Sequence, residues 1–540
     1  MALSLVLTLG HNASAIAVED GNIIAGYEEE RFTGKKSDSS FPIQAITRIR
    51  DIAQVEKFDD ICIGHWFTAG QLVESKYADF SYLESLVADK ADIHSIEDGF
   101  THHDSHMLSA EVFAHHYGIP LQHTAVVADG FGTFGECISI YQVTGSSRRL
   151  LNRYFGFDKS LGLLYQYATA FLQMKMHNHE YKMLGYEAHI DSVLGSELKQ
   201  RLHELIHKEA TAWIKNTMNN PISMTHDPLV NTAALAQTQN SINEILMNVL
   251  DEIDPDEKLD LYEKRVVISY FVQALVESVM CSIIGLYKPS ALVVSGGLFY
   301  NVKLNHLLAN MVDKFCVMPL AGDQGAGLGV YQNVHGDLTW PGHLFWGIRN
   351  LDQSHEGSGL ITTNDTDFAL EVMHTQLRKR GFVNVVRGAM EFGPRSLCNT
   401  ATLALPTLES VDVINRMNDR TTIMPMAPVM SAEQANHYLE GCDKIVGSLD
   451  YMVVTRNVKV GLEDKMLGAS HYYPASNTHT CRPQIISEDD WVSQLTYEFG
   501  PLINTSFNYH GVPIVFDKAS IEYSHKQQNK VAEIKTVVIY

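Results

Sequence analysis

Short apolar runs bounded by turn residues punctuate the first part of the chain. Leu3 to Leu9, Ala15 to Val18, Ile23 to Tyr27, Asp60 to Gly64, Ala125 to Ala128 and Ala291 to Val294 each read as a buried strand. Glu19-Asp20-Gly21-Asn22 lies between two of them and predicts a hairpin. The opening strand, polar loop (Gly10-His11-Asn12-Ala13-Ser14) and hairpin recur in outline at the strand ending in Asp129, the turn Asp129 to Gly132 and the hairpin through Glu136 to Tyr141. Helical patterning covers about 43–54, the segment around His102, most of 191–286 and about 367–379, with a strand from Gly381 to Val386 after it. Strands alternating with helices predict an α/β fold. The most apolar long run, Val266 to Tyr287, contains Gln273 and Glu277 and predicts a buried helix, not a membrane span. Residues 332–366 read as a connection, with Trp340-Pro341-Gly342 and then Ser, Gly, Thr and Asn richness from Ser354 to Thr366. That divides the chain into two domains, 1–350 and 365–540. No solenoid-type repeat and no low-complexity tract is present.

Composition narrows the picture without deciding it. Hydrophobic residues at 45% and charged residues at 19% of 540 are those of a globular chain. A formal charge of −22, from 63 acidic and 41 basic residues, argues against a broad nucleic-acid-coating surface. The seven cysteines are scattered without a CxxC pair, as in a cytoplasmic protein with reduced thiols. The apolar start lacks a basic leader and reads as the first core strand.

Candidate chemistry centres on Thr101-His102-His103-Asp104-Ser105-His106. His102 and His106 are four apart, share one helix face and can grip one metal, whereas His103 lies on another face. An ordinary surface pair on a helix is the competing reading. Asp129 at a strand end supplies a carboxylate, and two imidazoles with a carboxylate suit a divalent transition metal with open positions. Ser295-Gly296-Gly297 after a strand, and Gly322-Asp323-Gln324-Gly325 opening a helix, are candidate phosphate cradles. Asp323 either caps that helix or reaches the metal. The run Glu28 to Lys36 is either a solvated charge stretch or a loop carrying Arg31, Lys35 and Lys36 to an anion.

Taken in order, these pieces resemble the O-carbamoyltransferase family of the nodulation and antibiotic type. The matching stretches are Gly10 to Ser14, Glu28-Glu29-Glu30-Arg31-Phe32, His102/His106, Asp129-Gly130, Ser160-Leu161-Gly162, Lys182-Met183-Leu184-Gly185, Ser295 to Asn305 and Gly322 to Gly325. They continue through Glu391-Phe392-Gly393-Pro394-Arg395, Met426-Ala427-Pro428, Arg482-Pro483-Gln484 and Asn504-Thr505-Ser506-Phe507-Asn508. The resemblance implies an actin-like (ASKHA) duplicated α/β domain over 1–350, related to the tRNA threonylcarbamoylation protein. It implies a smaller α/β domain over 365–540, related to the enzyme that makes threonylcarbamoyl-adenylate. By that resemblance, carbamoyl phosphate and ATP with magnesium form a carbamoyl-adenylate in the second domain, and the carbamoyl group passes to a hydroxyl at the first. It further implies Fe(II), or another divalent metal, on His102, His106, Asp129 and Asp323, with His11 as general base. Nucleotide contacts fall at Asn12, Lys182, Gly296, Gly297 and Asn301, and carbamoyl phosphate contacts at Arg395, Arg482 and Asn508. Iron in particular comes from the resemblance and not from the spacing.

The chain departs from the antibiotic-type pattern at Thr400, where a second arginine is expected, at Asn418 for a lysine and at Met424 for a basic residue, while His510 stands at an often basic position. Less fixed charge at the donor site is therefore expected, with Arg416 and Arg420 as candidate compensators. The acceptor stays open between a small molecule, a sugar and a hydroxymethylated pyrimidine, including one in DNA. Charge disfavours the polymer, for which Lys175, His177 and His179 offer only a short basic track. Two other readings are an actin-like ATP-binding module without transfer activity and an N-carbamoylation enzyme acting on tRNA. The retained His11, histidine pair and aspartates speak against the first, the acidic charge against the second. No membrane partner is expected, and homodimerisation is left open.

Overall fold

Ten strands of the first domain form two sheets with one topology. The first sheet holds β1 (Leu3–Thr8), β2 (Ser14–Glu19), β3 (Asn22–Glu28), β4 (Asp60–Trp66) and β5 (Ile93–Ile96) in the order β3-β2-β1-β4-β5. The second holds β6 (Gln122–Ala128), β7 (Glu136–Thr144), β8 (Ser147–Phe155), β9 (Ala291–Ser295) and β10 (Lys314–Val317) in the order β10-β9-β6-β7-β8. In each, an antiparallel meander is extended on its first strand by two parallel strands. The chain has the duplicated actin-like α/β fold. The computed structural model describes residues 2–66, 80–96, 99–218, 228–347, 359–420 and 426–540; Met424 and residues 348–358 of the expected connection lie outside them.

The inner strands are parallel-paired and covered on both faces, which is why β1, β6 and β9 read as unbroken apolar runs and not as alternations. The helices used below are α1 (His102–His116), α2 (Glu180–Tyr186), α3 (Leu261–Gly285), α4 (Val302–Asn310) and α5 (Ala326–His335). Helices α1 and α5 pack against each other so closely that a Cβ on Gly329 would stand 1.8 Å from the Ser105 carbonyl oxygen. Helix α3 is long and apolar enough to cross a membrane by length and composition, but most of it is buried. Its core residues pack with those of the second sheet, as expected of a core helix.

In the second half, β12 (Ile361–Thr363), β13 (Phe382–Arg387), β15 (Thr400–Ala404), β16 (Ala427–Ser431), β20 (Gln484–Ile486), β21 (Leu502–Ser506) and β22 (Thr536–Ile539) make a mixed sheet ordered β12-β22-β13-β15-β21-β16-β20. A smaller sheet joins β17 (Arg456–Asn457), β18 (His471–Tyr473) and β19 (Thr478–Cys481). The two halves share a core. Strand β11 (Phe345–Gly347) pairs with β14 (Met390–Glu391), and Phe392, Leu397 and Tyr451 to Val454 pack into the core of the first half. Tyr117 and Tyr451 join hydroxyls at 2.8 Å across that boundary.

Arg31 belongs to the same junction. The alternative of a loop arginine reaching an anionic ligand is corrected here: Arg31 is buried, pairs with Glu28 at 2.9 Å and donates to the Gly393 carbonyl at 3.0 Å. Its fixed fork is spent on tying β3 to the second half.

Candidate active site and metal centre

The histidine helix starts at a fully satisfied N-terminus. Thr101 caps it in a capping box with Asp104, and the His102 and His103 amides donate to Thr133 Oγ1 (3.0 Å) and Glu136 Oε1 (2.8 Å). One turn apart, His102 and His106 turn their Nε2 atoms to the same point, 3.1 Å from each other. His103, on another face, is buried and bonded to Ser139 Oγ at 2.8 Å.

Asp129 reaches that point because its other oxygen is held. Oδ1 accepts from the Gly130 amide (2.7 Å) and the Gly297 amide (3.2 Å), leaving Oδ2 at 3.4 Å from His102 and 3.7 Å from His106. The Gly296-Gly297 turn is needed for this approach. Gly296 has φ +98° and its missing Cβ would meet the Ala128 carbonyl at 2.2 Å, while one on Gly297 would lie 2.7 Å from Asp129 Oδ1. Asp323 completes the group from the turn before α5, with Oδ1 at 3.3 Å from His102 and 3.5 Å from His106. Thr8 at the end of β1 donates to the Asp323 carbonyl at 3.1 Å and ties that turn to the first sheet.

Four ligand atoms from His102, His106, Asp129 and Asp323 thus lie within 4.8 Å of one another. Donors about 2.1 Å from one ion stand roughly 3.0–3.5 Å apart, so the set fits a divalent metal in size as well as in kind. The electrostatics agree. Burial works against charge on His102, yet hydrogen bonds to Asp129 and Asp323 and their charges hold its pKa at about 10. Burial also opposes ionisation of Asp323, but the neighbouring His11, His102 and His106 hold its carboxyl well below the usual range.

His11 stands at the rim. Its Nε2 is 3.6 Å from Asp323 Oδ2, its Nδ1 is 3.2 Å from Asn12 Nδ2, and its side chain is 46% exposed. With Asn12, Asp129, Gly297, Asn301 and Asp323 it lines a cavity of roughly 320 Å³. Asn301 reaches the wall of that cavity, but its amide is bonded to Gln273 and caps α4. Lys182 lies instead on a second cavity, so the structure does not gather the expected nucleotide contacts in one chamber.

That second cavity, roughly 750 Å³, lies between the halves. Lys35, Lys36, Lys175, Lys182, Lys303, Arg395, Arg420 and Arg482 line it, with no aspartate or glutamate among the lining residues. Only Lys303 of these has a carboxylate partner among the described residues, Glu187 at 2.9 Å. Burial lowers the Arg395 and Arg482 guanidinium pKa values, and their mutual repulsion lowers Arg482 further. Buried cations without an anion call for one from outside.

Asn508 also lines this cavity, with its amide already engaged. Its oxygen accepts from Arg420 (2.8 Å) and Ser506 (2.7 Å), and its nitrogen donates to the Val512 carbonyl (2.7 Å). Its second N–H donates to the Tyr509 carbonyl (3.3 Å), so in this state it orients Arg420, whose fork also reaches Thr505 (3.0 Å). Of the positions where less charge was expected, His510 lines the cavity. Asn418 is buried against Gln528 (2.8 Å) and Thr400 against Glu391, so neither faces the cavity. Arg420 is at the cavity, whereas Arg416 is exposed and paired with Asp412.

Sequence reasoning missed Tyr181 and Tyr300. Both line both cavities, as do Asn178, Leu184, Pro394 and Arg395, so the chambers share a wall. Their signal was position alone, Tyr181 beside Lys182 and Tyr300 beside Asn301.

Comparison with known proteins gives a family. Residues 69–331 match the model described as carbamoyltransferase N-terminus, and residues 374–539 match that of the carbamoyltransferase C-terminus. An uncharacterised protein of Methanocaldococcus jannaschii is 24% identical over 537 residues, covering 94% of this chain and 93% of that protein. The nodulation protein NolNO of Sinorhizobium fredii is 24% identical over 558 residues, covering 95% of this chain and 76% of its own length. Among solved structures, full-length HypF in the phosphate- and nucleotide-bound form aligns at 15% identity and TM-score 0.31 over 63% of this chain and 56% of that one.

Proposed function

The chain belongs to the carbamoyltransferase family, and we propose that within it this enzyme is an ATP-dependent O-carbamoyltransferase working through a carbamoyl-adenylate. The observation that carries the proposal is the pair of adjoining chambers, one lined by eight cations and no carboxylate and one holding the metal-type ligands and His11. Carbamoyl phosphate and ATP bring several negative charges, which Arg395, Arg482 and Arg420 would meet as planar donors. Water would first cleave carbamoyl phosphate to carbamate and inorganic phosphate, and attack of a carbamate oxygen on the α-phosphorus of ATP would then form the carbamoyl-adenylate and release pyrophosphate. The fixed cations would stabilise the charge that develops on the phosphoryl oxygens.

The mixed anhydride then has a short way to go, past Tyr181, Tyr300 and Arg395. In the second chamber His102, His106, Asp129 and Asp323 would hold a divalent metal, Fe(II) by family resemblance. Such an ion supplies Lewis-acid polarisation of a carbonyl and a hold on phosphate. His11, at the rim and partly exposed, would take the proton of an acceptor hydroxyl as that oxygen attacks the carbamoyl carbon and AMP leaves. The acceptor is a hydroxyl compound small enough to reach His11 from solvent.

The test is to supply ATP and carbamoyl phosphate with a panel of sugars, macrocycles and hydroxymethylated nucleosides. Pyrophosphate and a carbamoyl mass gain on one acceptor are expected. Carbamoyl transfer with inorganic phosphate as the sole phosphorus product would overturn the adenylate route.

A further inference from the structure

Apart from the cluster around His102, the described residues hold one other trio of metal-type donors: Asp60, Cys62 and His335, with ligand atoms within 4.8 Å of one another. Asp60 opens β4, and Cys62, two residues on, projects from the same face of that strand. His335 is the last residue of α5, which packs across β4. Its Nε2 is 3.2 Å from Asp60 Oδ2, and Cys62 Sγ is 3.7 Å from Asp60 Oδ1.

Each pair, though made to a different Asp60 oxygen, is near the roughly 3.2–3.7 Å that separates donors around a tetrahedral ion, with the fourth position left to water. The charges suit it too. A carboxylate, with a thiolate formed when the ion displaces the Cys62 proton that Asp60 Oδ1 otherwise accepts, would balance a divalent cation, and among the described residues Asp60 has no lysine or arginine partner. Its other neighbour is Ser4, whose hydroxyl donates to Oδ2 at 3.0 Å. Asp60 and Cys62 are buried, while the His335 side chain is 25% exposed and leaves a way in from solvent.

We propose that Asp60, Cys62 and His335 form a second, structural metal site for zinc or another thiolate-binding divalent ion. It differs in kind from the first cluster, whose donors are nitrogen and oxygen only. It fastens the last turn of α5 to the start of β4. The same helix follows directly from the turn that presents Asp323, so a metal here anchors the far end of the element behind the first centre.

Full-length protein stripped with a chelator and titrated with Co(II) tests this, because a thiolate ligand gives a sulfur-to-cobalt charge-transfer band that the first cluster cannot. The expected result is two equivalents bound, with that band present. Cys62→Ser should remove the band and retain one equivalent. His335→Gln, at a partly exposed position where folding is not at stake, should weaken the second equivalent at least tenfold. Absence of the band in the native chain, or its persistence in Cys62→Ser, overturns the proposal. So does an unchanged second affinity in His335→Gln, which would leave Asp60 and His335 as an ordinary ion pair at a helix end.

Discussion

His11 is held from one side by Asn12 and faces Asp323 on the other, in the chamber opposite the cationic one. Under the proposed division of labour, His11→Ala should release pyrophosphate at the native rate and lose about 10²–10⁴-fold in carbamoyl transfer, read by following both products in one reaction. Glu277 gives a second prediction, on stability. Burial, and then the charge of Glu187, push its pKa up to about 8. The folded state therefore keeps a proton that the unfolded chain gives up near 4.5, and this preference costs stability progressively as pH rises from that value to about 8. Glu277→Gln mimics the protonated form and can still accept from Gln273 and Tyr473, so its Tm should match the native value near pH 4.5 and exceed it increasingly up to pH 8. The histidine pair was legible in the sequence because both residues sit on one helix, where spacing dictates direction. The engagement of Asn508 was not, since its partner Arg420 is 88 residues away and only the folded second half brings them together.

At the scale of elements, helix α5 behind Asp323 depends on contact with α1. Gly329→Ala must push the two apart, because the added carbon would occupy the Ser105 carbonyl. The cost should be about 1–3 kcal/mol by thermal or denaturant unfolding, with weaker metal binding at the first cluster. Gly195→Ala, where nothing lies within 4 Å, should leave both unchanged. Most elements were readable from patterning. The helix expected at about 43–54 is Ile43–Ala53, that at about 367–379 is Thr366–Arg380, and the strand from Gly381 to Val386 is Phe382–Arg387. Strand β8, Ser147–Phe155, escaped because an outer strand carrying Arg148, Arg149 and Arg153 has little apolar signal. The helix expected beyond the GG turn is α4, from Val302. A 3₁₀ turn, Gly297–Tyr300, intervenes, and its first amide serves Asp129.

The whole molecule separates its charge. A chain of net −22 encloses a chamber lined by eight lysines and arginines. Distant surface acids repel an anionic donor through solvent and are screened within about 10 Å at 0.1 M salt, whereas the enclosed cations are screened far less. Raising ionic strength from about 0.02 to 0.2 M should therefore leave kcat/KM for carbamoyl phosphate unchanged or higher. A surface basic track would give a steep fall. The sequence carried the excess of acid but not its distribution, because the lining cations come from loops and two helices spread between Lys35 and Arg482.

The wall shared by the two chambers bears on time as much as on space. Tyr181, Tyr300 and Arg395 line both sides of it, so under the proposed adenylate route an anhydride made on one side would meet its acceptor without leaving for solvent. Its survival is then a race between that crossing and capture by the acceptor, and not between release and the spontaneous clock of hydrolysis in bulk water. On that route, an intermediate too short-lived to be a metabolite would still be a usable one.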